Sequence, residues 1–258
     1  MPDFTILMPP AEGKQPGGNP LAPDMFDLRA SGTFNFFREL NPERKKLMRA
    51  LQEHMDSGDD LEAFFGVKGD VLQQAIDANA GLFGAPLMAA LDRYSPGVMY
   101  SAMDFPGLPT GAQRRLLEHA VIFSGLFGLL RPDDLIPLYR LKMDAVLPEI
   151  GKVSRYWRPI LSPVLNREVK GTCVWNLLPT AHQDAWDDEH TYAEMIKVQF
   201  VREQGGERKA VTHGLKPLRG QLVNYLVRDG ADSVGALDEW RAPDGYKLEE
   251  ESTEHDDA

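Results

Sequence analysis

Ser124 to Met143 reads SGLFGLLRPDDLIPLYRLKM, and the rest of the chain is arranged around it. Gly125 and Gly128 interrupt an apolar run whose interior, as a helix or a strand, they would weaken. Arg131-Pro132-Asp133-Asp134 then breaks the run, and Pro137 precedes Tyr139, Arg140, Lys142 and Met143. Two arginines beside two aspartates are more than a plain core element needs. The stretch predicts a buried, glycine-bent corner that carries Arg131 and Arg140 into a pocket or groove. The competing reading is a core turn in which those arginines pair with Asp133 and Asp134.

Upstream of this corner, Phe4 to Met8 is a short apolar run closed by Pro9-Pro10, the pattern of a buried strand ending in a loop. Glu12-Gly13-Lys14 follows at the strand end, where sites in sheet proteins often lie. Gln15 to Pro23, rich in Pro and Gly, predicts a flexible surface loop. Asn41-Pro42-Glu43 reads as a helix start with Asn as N-cap, and Leu47, Leu51 and Met55 continue it at intervals of four. Asp60 to Phe65, Val71 to Ala78 and Leu87 to Tyr94 predict further short helices, and Val98 to Ser101 a strand. A helix from Thr110 through Ala120 delivers the chain to the corner.

Beyond the corner, Val153 to Val164 predicts a helix interrupted by prolines, and Thr172 to Leu177 (TCVWNL) a buried strand. Met195 to Val201 and Arg208 to Thr212 flank Gln204-Gly205-Gly206-Glu207, a hairpin signal. Lys216 to Val227 reads as a helix, with one more over Val234 to Trp240. Helices and strands intermingle without a βαβ rhythm. The fold class expected is α+β, with one mixed domain over residues 1–248 and an acidic, disordered tail over 249–258.

Composition narrows the chemistry. The chain has 258 residues, 43% hydrophobic and 26% charged, which is ordinary for a globular protein with a sizeable core. Its single cysteine, Cys173, allows no internal disulfide and fits a reducing compartment. The opening MPDFTILMPP lacks the basic flank and long apolar core of a signal peptide, and no stretch has the apolar length to span a bilayer. A cytoplasmic location without membrane contact is expected. The net charge of −11 repels nucleic acid as a whole-molecule field, but much of it lies in the last ten residues, so a local basic groove is allowed.

Several constellations bear on function. Lys216 and Arg219 lie three apart at a helix start, so both project from one face beside the helix N-terminus, where a phosphate or carboxylate is favoured. His213 stands just upstream. Glu12-Gly13-Lys14 lacks the glycine spacing and Lys-Ser/Thr pair of a P-loop. Asn176, inside TCVWNL, needs a hydrogen-bond partner and either orients a ligand or is a satisfied structural amide. His182, Asp184, Asp187, Asp188, Glu189 and His190 match no familiar zinc or calcium spacing. No G-x-S-x-G elbow occurs, and the histidines are scattered. No cofactor or metal is called for.

Taken together, PPAEGK (Pro9 to Lys14), Met99-Tyr100-Ser101, the long SGLFGLLRPDDLIPLYRLKM segment, Tyr156-Trp157, Asn176-Leu177, Lys216-x-x-Arg219-Gly220 and Gly245-Tyr246 resemble the bacterial YaaA family of peroxide stress proteins. The resemblance covers most of the chain, and the long segment is its most specific part. It implies a single α+β domain of a fold peculiar to the family, a cytoplasmic location, protection from hydrogen peroxide by limiting free intracellular iron, and similarity to DNA-binding proteins. It also implies a basic cleft with a helix-hairpin-helix element, for which the helix from Thr110 followed by Ser124 to Leu130 is the candidate. The chain departs from the family pattern at Ala102, Pro179, His182 and Asn224.

Three functions are then in play. The first is binding of double-stranded or distorted DNA through Lys14, Arg131, Arg140, Lys216 and Arg219, with little sequence preference. The second is an enzyme acting on a small anionic or nucleotide-like ligand in the same cleft, with Glu12, Tyr100, Tyr139 and Asn176 lining it. The third is a scaffold whose charged corner only holds the fold.

Overall fold

The structure, a computed structural model, describes residues 4–22, 26, 35–57, 60–204, 207–210, 214–229, 234–237, 240 and 246–254. The chain opens with strand β1 (Phe4–Met8), whose five residues are all buried. A helical stretch follows, with α1 (Asn41–Asp56), α2 (Leu61–Phe65) and α3 (Gly69–Ala80). After it come β2 (Met88–Ala89), α4 (Ala90–Tyr94), α5 (Val98–Met103) and α6 (Thr110–His119). The corner comprises β3 (Ala120–Ser124), β4 (Gly128–Leu130) and β5 (Leu135–Ile136), and β6 (Val146–Leu147) with β7 (Gly151–Lys152) leads into α7 (Val153–Glu168). The last part holds β8 (Cys173–Asn176), α8 (Thr180–Gln183), β9 (Glu194–Gln204), β10 (Glu207–Ala210), α9 (Lys216–Asp229) and β11 (Tyr246–Glu254).

β1 lies at the centre of the main sheet. It pairs in parallel with β3 on one side (Leu7 opposite Val121) and with β8 on the other (Ile6 opposite Trp175). β9 adds in parallel beyond β8, and β4 closes the opposite edge antiparallel to β3. β1 and β3 are buried along their whole length, as expected of parallel strands covered on both faces. The chain leaves β1, crosses to β3, and later returns to β8 on the other flank. The strand order therefore reverses at β1, and a crevice opens beyond the carboxyl ends of β1 and β8.

The expected buried corner is present, and its glycines explain it. A Cβ on Gly125 would stand 2.5 Å from the Leu141 carbonyl oxygen, so only glycine admits the returning segment. Gly128 has φ +69° and lies under the Trp157 ring, while Trp157 Nε1 donates to the Gly125 carbonyl (2.8 Å). Arg44, 1% exposed, donates to the carbonyls of Phe127 (2.9 Å) and Leu129 (2.6 Å) and so ties α1 to the hairpin.

Several elements differ from the sequence expectations. α6 runs straight into β3, and Ser124 to Leu130 is a β-hairpin rather than part of a helix-hairpin-helix element. Every residue from Ala120 to Leu130 is buried, so this turn offers no backbone N–H to an outside phosphate. Val98 to Ser101 belongs to helix α5 rather than a strand. Short apolar runs do not distinguish the two, and the helix is chosen by packing on α9, where a Cβ on Gly220 would meet the Met99 oxygen at 2.1 Å. Leu87 to Tyr94 divides into β2 and α4 because Met88 and Ala89 pair with Ile136 and Leu135. α7 continues unbroken through Pro159 and Pro163, and Val234–Leu237 is a single 3-10 turn.

Asn41 starts α1 but does not cap it; its Oδ1 accepts from Arg44 Nη1 (2.9 Å). The loop from Gln15 is anchored, since Arg93 donates to the carbonyls of Gln15 and Gly17. Residues 249–254, expected as the start of a disordered tail, lie in β11 along β9, with Glu251 opposite Lys197 in the register. The free edge of β9 supplies the unpaired N–H and C=O groups that such a strand needs. Gly205, Gly206, His213 and Gly245 fall outside the described residues.

Candidate anion-binding cleft

The crevice at the strand reversal is a cavity of about 480 Å³. Its walls come from the loop after β1 (Pro9 to Lys14), the start of α5 (Val98 to Tyr100), the segment after β5 (Tyr139 to Asp144), the loop after β8 (Pro179, Ala181, His182) and the start of α9 (Lys216, Arg219). Lys14, Arg140, Lys142, Lys216 and Arg219 face it, against the carboxylates of Glu12 and Asp144. The dominant sign is positive although the chain as a whole is acidic.

Each wall is held for an identifiable reason. Tyr100 Oη donates to the Pro9 carbonyl (2.8 Å), and a Cβ on Gly97 would stand 2.4 Å from that of Ala11, so the β1 loop lies directly on α5. Arg93, fully buried, fixes the far side of the same loop through Gln15 and Gly17. Asn79 of α3 clamps the Arg140 peptide from both sides: its Oδ1 accepts from Arg140 N and its Nδ2 donates to Arg140 O, both at 2.9 Å. Ser124 Oγ, Tyr139 Oη and Tyr94 Oη form a buried chain of hydroxyls at 2.7 and 2.6 Å.

Lys14 Nζ lies 4.4 Å from the Tyr139 ring centroid and 5.6 Å from that of Tyr94, within the range of a cation–π contact. Burial is the largest influence on its ammonium and the Arg140 charge adds to it; together they pull the group from its ordinary value down to about 7. Glu12 opposes this shift, and its Oε2 sits 3.5 Å from Arg140 Nη2. Burial pushes the Tyr139 hydroxyl up to about 12 and that of Tyr100 well above the usual phenol value. His182 is held neutral, its imidazole lowered to about 4 by burial with Asp144 opposing. Arg140 Nε, Arg219 Nε and His182 Nδ1 are buried without a hydrogen-bond partner among the described residues. Unmet guanidinium N–H groups beside a cavity, as on Arg140 and Arg219, are what an anion would satisfy.

Four of the five expected cations, Lys14, Arg140, Lys216 and Arg219, therefore meet around one hollow. Arg131 does not. It follows β4, which runs antiparallel to β3, so it lies by the amino end of β3 and donates to the Ala120 carbonyl (3.1 Å). Its guanidinium pairs with Glu168, and Asp134 takes only its backbone N–H (2.7 Å). Of the expected lining residues, Glu12, Tyr100 and Tyr139 are in place. Asn176 is not: its Oδ1 accepts from Leu178 N (3.1 Å) and shapes the turn after β8. In the acidic run, Asp184 pairs with Lys152 and Asp187 with Arg158. Asn79, Arg93 and Tyr94 escaped the sequence reading, because a buried polar side chain with a distant backbone partner leaves no local pattern.

A family model described as "Peroxide stress protein YaaA" matches residues 4–252. The chain belongs to the YaaA family. Similar proteins carry the name UPF0246. One from Streptomyces coelicolor is 29% identical over 255 residues, covering 96% of this chain and 92% of its own. Another from Corynebacterium glutamicum is 29% identical over 246 residues, with 90% and 89% covered. A third, from Bordetella avium, is 32% identical over 146 residues, 55% of this chain and 57% of that one.

Pro179 and His182, two of the four positions singled out from the sequence resemblance, line the cleft. The other two act behind it. Ala102 touches the α5–α9 contact at Gly220, and Asn224 donates to the Met103 carbonyl (2.6 Å), so both set how α9 carries Lys216 and Arg219. Among the described residues no helix is long and apolar enough to cross a membrane.

Proposed function

We propose that this peroxide stress protein holds the phosphates of DNA, double-stranded or distorted, in the cleft beyond β1 and β8, with little sequence preference. The observation that carries the reading is the convergence of Lys14, Arg140, Lys216 and Arg219 from three separate chain segments around one concavity. The unmet Nε donors of Arg140 and Arg219 support it, since phosphate oxygens accept from guanidinium groups in charge-assisted bonds. Phosphate contacts position a duplex without reading its bases, hence the weak sequence preference. Among the described residues no group of three His, Cys, Asp or Glu is placed to hold a metal ion, so in this reading a limit on free iron is indirect.

A mobility-shift titration of plain and bubbled duplexes over a salt series tests the proposal. Four neutralised phosphates give a log–log salt slope between about −3 and −4. No complex at low salt overturns the reading. A second reading, a small anionic or nucleotide-like ligand transformed in the same cleft, is favoured by the cavity of about 480 Å³ and by the half-buried Lys14 amine, whose ammonium is pulled down to about 7. Calorimetric binding of a mononucleotide together with no binding of duplex selects it.

A further inference from the structure

Phosphate binding does not require one feature of the cleft. A lysine that holds a phosphate by charge alone is best left hydrated, or given a carboxylate to orient it. Lys14 instead packs over the faces of Tyr139 and Tyr94, and among the described residues its ammonium makes no hydrogen bond or ion pair. Glu12, the carboxylate of its own loop, is engaged by Arg140. A lysine desolvated by aromatic walls and crowded by another cation is the arrangement that frees an amine lone pair near neutral pH.

On the phosphate-binding reading above, we propose that Lys14 forms an imine with the carbonyl carbon of a phosphate-bearing aldehyde whose phosphate is held by Arg140, Lys216 and Arg219. In DNA the group of that chemistry is a deoxyribose that has lost its base and opened to its aldehyde, flanked by phosphates. A free sugar phosphate in its open-chain form offers the same two groups. The Nζ lone pair attacks the carbonyl carbon. The carbinolamine then expels its oxygen as water, which carries away both amine protons, and a C=N bond remains. Nothing is oxidised or reduced, and water reverses the step.

The charged and titratable groups around Lys14 are Glu12 on its own loop, Arg93 and Tyr94 from α4, Tyr100 from α5, and Tyr139 and Arg140 from the segment after β5. Burial keeps all three tyrosines protonated at neutral pH. With burial and Arg140 lowering the Lys14 ammonium to about 7, imine yield climbs as pH rises through that value.

Borohydride trapping on the full chain tests this, with the adduct located by peptide mass spectrometry. The probes are a duplex carrying one abasic site, glyceraldehyde 3-phosphate, and unphosphorylated glyceraldehyde. The expected adduct sits on Lys14, forms with at least one phosphate-bearing probe about tenfold or more above glyceraldehyde, and is absent in Lys14→Arg, which keeps the charge but not the nucleophile. Trapping by the duplex assigns the DNA source, and trapping by the small probe alone assigns a free sugar phosphate. No Lys14 adduct with any probe overturns the proposal, as do adducts spread over Lys142, Lys216 and outer lysines. Because the adduct is mapped in the unaltered protein, the outcome stands even if Lys14→Arg fails to fold. Binding of intact duplex, measured in parallel, keeps the two readings apart. Binding without an adduct sinks the imine alone, whereas an adduct without binding sinks only the DNA reading.

Discussion

The two ends of the parallel strands use arginine in opposite ways. By the amino end of β3, Arg131 has a carboxylate partner in Glu168 and a carbonyl in Ala120; likewise Arg44, reaching from α1 onto the β3–β4 hairpin, is saturated by Asn35, Asn41, Phe36, Phe127 and Leu129. At the carboxyl end, Arg140 and Arg219 border a cavity with Nε donors unmet among the described residues, and Lys14 rests on tyrosine faces. Cations of the first kind are consumed by the fold; those of the second are held ready by it. The difference lies in partner supply rather than in residue type.

The comparison breaks most visibly at Arg44. Its removal takes one hydrogen bond from each of five carbonyl and amide oxygens and the neighbouring positive charge from the buried Asp134 carboxylate. Arg44→Ala is expected to cost about 3–5 kcal/mol, seen as a lower midpoint in urea unfolding, because an uncompensated buried charge remains. A loss below about 1 kcal/mol would mean that the hairpin does not depend on this network.

A smaller pair of effects sharpens the contrast. Arg131→Ala should lower stability by about 1–3 kcal/mol, the range for a charge-assisted bond, and leave duplex affinity unchanged. Arg219→Ala should do the reverse, weakening duplex binding about tenfold, or about 1.4 kcal/mol, with little change in unfolding midpoint. Thermal melts and mobility shifts on the two variants decide it. If Arg131→Ala weakens binding as much as Arg219→Ala, the division between the two ends of the sheet fails.

Much of the sheet and of the cleft's lining is legible in the sequence, whereas the division among the arginines is not, and the exceptions share a cause. The apolar runs at Phe4–Met8 and Cys173–Asn176 name two of the central parallel strands, and Pro9-Pro10 announces the loop that carries Glu12 and Lys14. Lys216 and Arg219 are legible because helix spacing places them on one face. Arg131 misled because Asp133 and Asp134 adjoin it in sequence, whereas its partner Glu168 is 37 residues away on α7. Glu249 to Glu254 read as solvated for their composition, yet the edge of β9 organises them, and an edge is a property of the sheet rather than of the segment. Val98 to Ser101 went to helix because Gly220, on an element more than a hundred residues later, lets α9 approach. Periodicity reports what a segment buries but not against what.

The mildest effect concerns the cleft's own cost. Lys14 has a native value near 7 against 10.5 for the free side chain, so between those limits the unfolded chain binds more protons than the folded one. Stability contributed by this group is therefore lowest below pH 7 and recovers as pH rises toward 10.5. Lys14→Met removes the titration while keeping a side chain of similar length over the Tyr139 ring. The variant should be the more stable protein at pH 6, with its advantage shrinking steadily as the pH of the urea titrations is raised to 9. A difference that stays constant across that range would show the Lys14 ammonium to be as well solvated as any surface lysine, and the cleft would then hold its cations in the ordinary way.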